Sequence, residues 1–250
     1  MWFGVIPEPR LLMIVPIDRW YLRYLKGLDE QKLFFASYGS FMHKIIDYYY
    51  KSIIPKERLR DYYLREFRNE ISGSAPSVKV FEKYFLDGLN YVSGFSPLPF
   101  ELIDTEIRVN YKIGKIPMIA IIDYLGKAED GLVIVDHKSK VLKPRSNRTK
   151  PTKTDEELDD YLIQLYLYAE AVRQQYGKLP KHLCFNCFRT QTLIKESFNN
   201  EAFLSAKKWL KEKVKEITNE TYFRPDVDWF KCQYLCGYKK ECDYFDLATR

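Results

Sequence analysis

The sequence predicts an α/β protein with one mixed central sheet flanked by helices. Three observations carry that expectation. The hydrophobic period changes from helical to alternating near Ile103. Two stretches rich in Ile and Val, Met118 to Leu125 and Leu132 to Lys138, are close enough in sequence to pair as a hairpin. A long helical segment from about Thr154 to Tyr176 then separates the hairpin from another apolar strand, so part of the sheet is expected to be parallel.

The chain opens with an irregular apolar segment containing prolines, followed by WYLRYLKG at residues 20–27. A helix is expected from Ser37 to about Ser52. Arg58 to Ile71 carries aromatics at helical spacing, and Phe81, Phe85 and Leu89 form an i, i+4, i+8 stripe. From Ile103 to Lys112 the residues Ile103, Thr105, Ile107, Val109 and Tyr111 alternate with polar neighbours, the pattern of a half-buried strand. The long helix is expected to open on a Thr154/Glu157 capping box and to stop at Gly177 and Pro180. Strands at His182 to Phe188 and Leu193 to Phe198 follow, then an amphipathic helix, Glu201 to Asn219, with Phe203, Ala206, Leu210, Val214 and Ile217 inward. The expected organisation is a single domain over 1–250, with a helical part (19–95), a core (100–220) and a cysteine-containing tail (221–250).

Composition narrows the function classes. The 250 residues are 46% apolar, with 20 Tyr, 16 Phe and 4 Trp, which argues against disorder. The longest apolar stretches fall well short of the roughly 20 residues a bilayer requires. Glu8 and Arg10 interrupt the opening segment where a signal peptide would be apolar. The expectation is a soluble, cytoplasmic chain with no membrane partner. A net charge of +6 tolerates a polyanionic partner without demanding one. Seven cations and no acid lie between Lys138 and Lys153, a run that fits either a solvated loop or a phosphate contact.

The strand LVIVDHKSK concentrates the chemistry. Side chains alternate along a strand, so Asp136 and Lys138 share a face, rooted about 7 Å apart, while His137 projects to the other. Asp123 ends the apolar run IPMIAIID on the preceding strand, and the hairpin brings it near Asp136, given the right stagger. Two carboxylates in apolar surroundings repel unless a cation lies between them, and carboxylate oxygens suit Mg²⁺ or Mn²⁺. The alternative is that both aspartates mark strand ends and Lys138 pairs with one of them. Elsewhere, Gly39 and His43 lie one turn apart on a helix, as do Gln164 and Tyr168 on the crossover helix. Glu106 is a weaker candidate, on a polar strand face that could equally be solvated.

Taken in order, these residues resemble the PD-(D/E)XK nuclease superfamily, and within it the RecB-like branch of CRISPR-adaptation and helicase-associated exonucleases. Gly39 and His43 look like its G-x-x-x-H motif, Asp123 in AIIDYL like G-x-I-D with Ala120 at a common glycine position, Asp136 and Lys138 like D-x-K, and Gln164 and Tyr168 like Q-x-x-x-Y. The resemblance spans roughly residues 20–245 and implies a restriction-endonuclease-like core. It implies that His43, Asp123, Asp136 and the His137 carbonyl bind the metal, that Lys138 positions or activates the attacking water, and that Gln164 and Tyr168 hold the DNA strand or orient Lys138. The expected activity is Mg²⁺- or Mn²⁺-dependent DNA hydrolysis, from ends or on single strands, in repair, recombination or phage DNA metabolism, with a helicase or recombination partner. The rivals are an inactive DNA-binding or docking module of the same fold and a structure-selective endonuclease.

Cys232, Cys236 and Cys242 have the spacing C-x₃-C-x₅-C. The resemblance implies a [4Fe-4S] cluster there, which takes four thiolates, yet no cysteine precedes Cys184. A zinc site completed by His or Asp is the alternative. Cys184 and Cys187, three apart in a strand, are expected to be buried free thiols on opposite faces.

Overall fold

The computed structural model describes residues 21–223, 225 and 227–248; the apolar opening segment and Trp20 lie outside them. The described residues form two compact units, Phe95–Lys215 and the remainder, residues up to Gly94 together with Glu216 onward.

The second unit is helical. A π-helical turn, Tyr21–Leu25, precedes α1 (Phe34–Tyr50), α2 (Leu59–Glu70) and α3 (Val78–Ser93). α1 starts three residues before the expected Ser37. That serine is a buried tie rather than a cap: its hydroxyl lies 3.1 Å from the Phe34 and Ser72 carbonyls and accepts the Ser72 N–H. Of the Phe81/Phe85/Leu89 stripe, Phe85 and Leu89 are half-buried, whereas Phe81 packs on other rings yet stays 38% exposed. Phe85 meets Phe67 edge-on at 4.9 Å between centroids, and Phe81 lies 5.9 Å from Phe34. A Cβ at Gly88 would overlap the Tyr38 and Tyr63 hydroxyls, so only glycine lets α3 approach this closely.

The first unit holds the sheet, in the order β1 (Glu101–Ile113), β2 (Ile116–Ala128), β3 (Gly131–Lys138), β4 (His182–Cys187), β5 (Thr192–Ser197). β1 to β3 are antiparallel, β3 and β4 are parallel, and β4 and β5 are antiparallel. The crossover between β3 and β4 is α4 (Lys153–Tyr176). This is the mixed, helix-flanked sheet expected from the sequence.

The differences are local. The hairpin from β2 to β3 turns through two residues, because Ala128 pairs with Gly131, so Gly126 lies inside the strand rather than in the connection. In β1 the buried set is Thr105, Val109, Tyr111 and Ile113, while Ile103 is exposed. The register slips between Leu102 and Asp104 and Glu106 adopts φ 51°, which breaks the simple alternation. α4 is capped two residues earlier than expected, by a Thr152/Asp155 capping box. Glu157, the other expected partner, pairs with Lys140 instead.

α5 (Asn200–Asn219) buries Phe203, Ala206, Leu210 and Ile217, and its last residues belong to the helical unit. In that unit, α6 (Trp229–Tyr234) leads into a tail whose Tyr238 is fully buried and whose Gly237 carbonyl accepts the Gln31 N–H at 3.2 Å. Among the described residues no helix is long and apolar enough to cross a membrane.

One buried carboxylate ties α4 in place. Glu170, 2% exposed, accepts from Arg173 at 2.6 Å, from Gln174 at 2.7 Å and from Lys207 of α5 at 3.1 Å, while Gln174 also donates to the Lys112 carbonyl of β1. Burial pushes the Glu170 carboxyl up, but these donors outweigh it and hold it down at about 2, from an ordinary 4.5. A depressed carboxylate stabilises the fold above its unfolded pKa, and that stability is lost as pH falls through the folded value. Urea unfolding should therefore show stability falling between pH 4.5 and about 2, by roughly 3 kcal/mol more in the wild type than in Glu170→Gln. The two strand cysteines are both buried, and burial pushes the Cys184 thiol up to about 12. Once any bound metal has been removed, alkylation of the folded protein at pH 8 with mass-spectrometric mapping should label Cys232, Cys236 and Cys242, which are partly exposed, well before Cys184 and Cys187.

Candidate active site at a strand fork

β2 pairs with β1 from Ile116 to Lys127 but with β3 only from Tyr124 onward, opposite Val135. The two strands therefore part at Asp123 and Asp136, the next residues along each. At the fork Asp123 Oδ2 accepts the His137 N–H at 2.7 Å, taking the place of the strand carbonyl that would otherwise receive it. β3 stays fixed on its other side, where Asp136, His137 and Lys138 pair with Phe185, Asn186 and Cys187 of β4. The two aspartates are thus the first residues beyond the ladder on each strand, buried at 5% and 1% exposure.

Across β2 lies a third acid. Thr105 pairs with Tyr124 and Ile107 with Ile122, which leaves Glu106 facing Asp123. Carboxylate oxygens of Glu106 and Asp123 lie within 4.8 Å of each other. Glu106 reaches this position with φ 51°, a left-handed conformation that costs a non-glycine residue of order 1–3 kcal/mol.

On the β3 side the charges are networked. Lys138 Nζ pairs with Asp136 Oδ2 at 2.7 Å and donates to Gln164 Oε1 at 3.1 Å; Gln164 Nε2 donates to Asp136 Oδ1 at 3.1 Å and to the Tyr168 hydroxyl at 2.9 Å. Gln164 and Tyr168 are one turn apart on α4 and both nearly fully buried, so the crossover helix is hydrogen-bonded directly to the strand carboxylate. The Tyr161 and Phe185 rings flank the Lys138 ammonium at 5.2 and 5.8 Å, a geometry that favours the cation. Burial pushes the Tyr161 hydroxyl up, against the pull of nearby Lys140. His137 turns to the opposite face, where its Nδ1 lies 3.0 Å from Asn186 Nδ2.

Thus Asp123, Asp136, Lys138, Gln164 and Tyr168 all belong to the sheet unit and meet at or beside the fork, whereas His43, half-buried on α1, and the three tail cysteines belong to the helical unit. Glu106 is the acid that sequence alone ranked low. An acid on an alternating strand is ordinarily solvated, and neither its register opposite Asp123 nor its backbone twist is visible in composition. Tyr161, three residues before Gln164, passed without notice because its spacing is that of any helical neighbour.

Chemically, three carboxylates and one ammonium in a largely buried fork leave a local negative excess. That donor set fits a hard, oxygen-seeking divalent cation, and the Glu106 and Asp123 oxygens are close enough to share one.

The crystal structure of a protein named "Putative exonuclease" from Eubacterium rectale is similar in backbone course, with a TM-score of 0.48 and 10% identity, covering 84% of this chain and 81% of that one. The comparison with curated proteins gives no match. The sequence pattern of the PD-(D/E)XK nuclease superfamily matches residues 18–243, nearly the whole chain, and takes in the fork, the lysine and the crossover helix together. The chain belongs to the PD-(D/E)XK nuclease superfamily.

Proposed function

We propose that the protein is a Mg²⁺- or Mn²⁺-dependent deoxyribonuclease of the RecB-like branch, acting on DNA ends or single strands. The observation that carries this is the fork itself: Asp123 and Asp136 on parting strands with Lys138 two residues on, in a chain of nuclease family. Glu106, Asp123 and Asp136 are the side chains that would hold the cation, with the His137 carbonyl and His43, the last on the strength of its G-x-x-x-H spacing. A divalent cation there would polarise the scissile phosphate and acidify a bound water.

The chain's own groups do the rest. Lys138, held between Asp136 and Gln164, presents an ammonium that orients the attacking water and offsets charge gathering on the phosphoryl oxygens. Water adds to phosphorus and releases a proton to solvent, the bond to the leaving sugar oxygen breaks, and that oxygen takes up a proton from solvent. Gln164 keeps Lys138 aimed while Tyr168 holds Gln164. Cleavage from ends, and a role beside a helicase or recombination partner, rest on the resemblance to the RecB-like branch.

For the tail we propose that Cys232, Cys236 and Cys242 bind a metal group, a [4Fe-4S] cluster by resemblance; zinc is distinguished by colour, since thiolate-bound iron absorbs visible light. Anaerobically purified protein should be brown with iron in elemental analysis, and colourless protein containing zinc would replace the cluster.

Asp136→Asn and Lys138→Met, chosen to keep side-chain size close to the original, should each lower Mn²⁺-dependent cleavage of linear DNA by about 10²- to 10⁴-fold with the fold intact by circular dichroism. Unchanged cleavage would remove the assignment. Closed circular DNA in the same assay should resist, and rapid nicking of it would favour a structure-selective endonuclease. Glu106→Ala and Glu106→Gly should both lose cleavage, yet the glycine variant should unfold at higher urea, by roughly 1 kcal/mol, because glycine adopts the left-handed conformation without strain. Equal stabilities would mean that Glu106 stores no strain.

A further inference from the structure

We infer that the loop between β3 and α4, residues 139–152, is the track on which the sugar–phosphate backbone of the substrate DNA strand lies as it enters the fork, an inference that rests on the nuclease reading above. The loop is held in shape from within. The Asp155 carboxylate, 2% exposed, accepts the Ser146 N–H at 2.7 Å, the Ser146 hydroxyl at 2.6 Å, and the Thr152 N–H and hydroxyl at 2.7 Å each. Leu142 is buried beneath it. Arg145 is fastened to Asp159 at 2.6 Å and to Glu196 of β5 at 3.2 Å.

That pinning sorts the cations into two kinds. Arg145 is spent on structure, and Lys140 pairs with Glu157. Lys143, Arg148, Lys150 and Lys153 are exposed and, among the described residues, have neither an ion pair nor a hydrogen bond. No acid occurs between residues 138 and 153 to offset them. A merely solvated loop has no need of four fastenings along a short segment that carries four unpaired cations. An extended polyanion laid along them removes the repulsion and gains counterion release.

The loop's position selects the strand backbone over a compact anion. It leaves β3 one residue after Lys138 and ends where Lys153 opens α4, eleven residues before Gln164. At 1.5 Å per residue that separation along the helix is roughly 16 Å, about five nucleotide steps at 3.4 Å along one strand. A single phosphate would call for donors converging on one point. Here the free charges are strung along a segment whose two ends are anchored beside the fork and at the head of the helix that carries Gln164.

The test replaces Lys143, Arg148, Lys150 and Lys153 together by Ala. A control replaces four exposed cations elsewhere, Arg60, Lys79, Lys208 and Lys211, and so removes the same net charge. Binding of a roughly 20-nucleotide fluorescent DNA strand is measured by anisotropy in EDTA between 50 and 200 mM KCl, and cleavage is measured separately with Mn²⁺. For the loop variant the slope of log Kd against log salt should fall by about 3, four contacts at about 0.7 each. Its KM should rise about tenfold or more while kcat stays within about twofold, since Lys138 and the acids are untouched; the control's slope should change by less than about 1. An unaltered slope in the loop variant, or equal changes in both variants, overturns the track even if the wild type cuts DNA. Failure of the wild type to cut DNA with any divalent ion overturns the nuclease reading, and the slope still decides separately whether this loop grips a nucleic acid strand.

Discussion

The site depends on two strands ceasing to pair one residue short of their acids. As long as β2 and β3 stay hydrogen-bonded, each polar backbone group finds its partner in the ladder. At Tyr124 and Val135 the ladder ends, and the buried His137 N–H would be left without an acceptor, at a cost of roughly 1–3 kcal/mol. Asp123 removes that cost by accepting it, so one side chain both terminates the pairing and is fixed, nearly dry, at the mouth of the opening. The same parting leaves Asp136 held on one side by β4 and open toward the fork on the other.

Charge follows from that geometry. Carboxylates brought together out of water are costly unless something positive or hydrogen-bonding meets them. On the β3 side the protein supplies its own answer in Lys138 and Gln164. On the β1 side Glu106 is carried toward Asp123 through a strained backbone turn, which increases the negative excess rather than relieving it. A fork with its cation built in on one flank and its acids gathered on the other is suited to holding a divalent ion against a phosphate. The crossover helix is part of the device, because Gln164 is aimed only while α4 is docked, and Glu170 fastens α4 to β1 and α5 by bonds that water would otherwise compete for.

Much of this was legible in the chain. The period change near Ile103, the two Ile- and Val-rich strands and the helix ended by Gly177 are local signals, and the mixed sheet followed from them. The pairing of Asp136 with Lys138 was readable because alternation along a strand is geometric. The misses share a cause. α1 begins at Phe34 rather than at the expected Ser37, and that serine bonds the Ser72 backbone, far away in sequence. Thr154 and Glu157 had the spacing of a capping box, yet Asp155 gains four hydrogen bonds by capping from two residues earlier and anchoring Ser146 as well. Glu106 looked solvated because nothing local announces a positive φ within a strand.

The sequence by itself determined which elements form and which residue types bear the chemistry, because helical and strand periods, turn residues and the order of short motifs are properties of neighbours along the chain. Only the tertiary structure decided which acid stands beside Asp123, where β2 leaves β3, and which loop cations are already spent on Glu157, Asp159 and Glu196. Those outcomes are set by register and by competition for partners distant in sequence, and a one-residue slip of a strand would reverse every one of its faces.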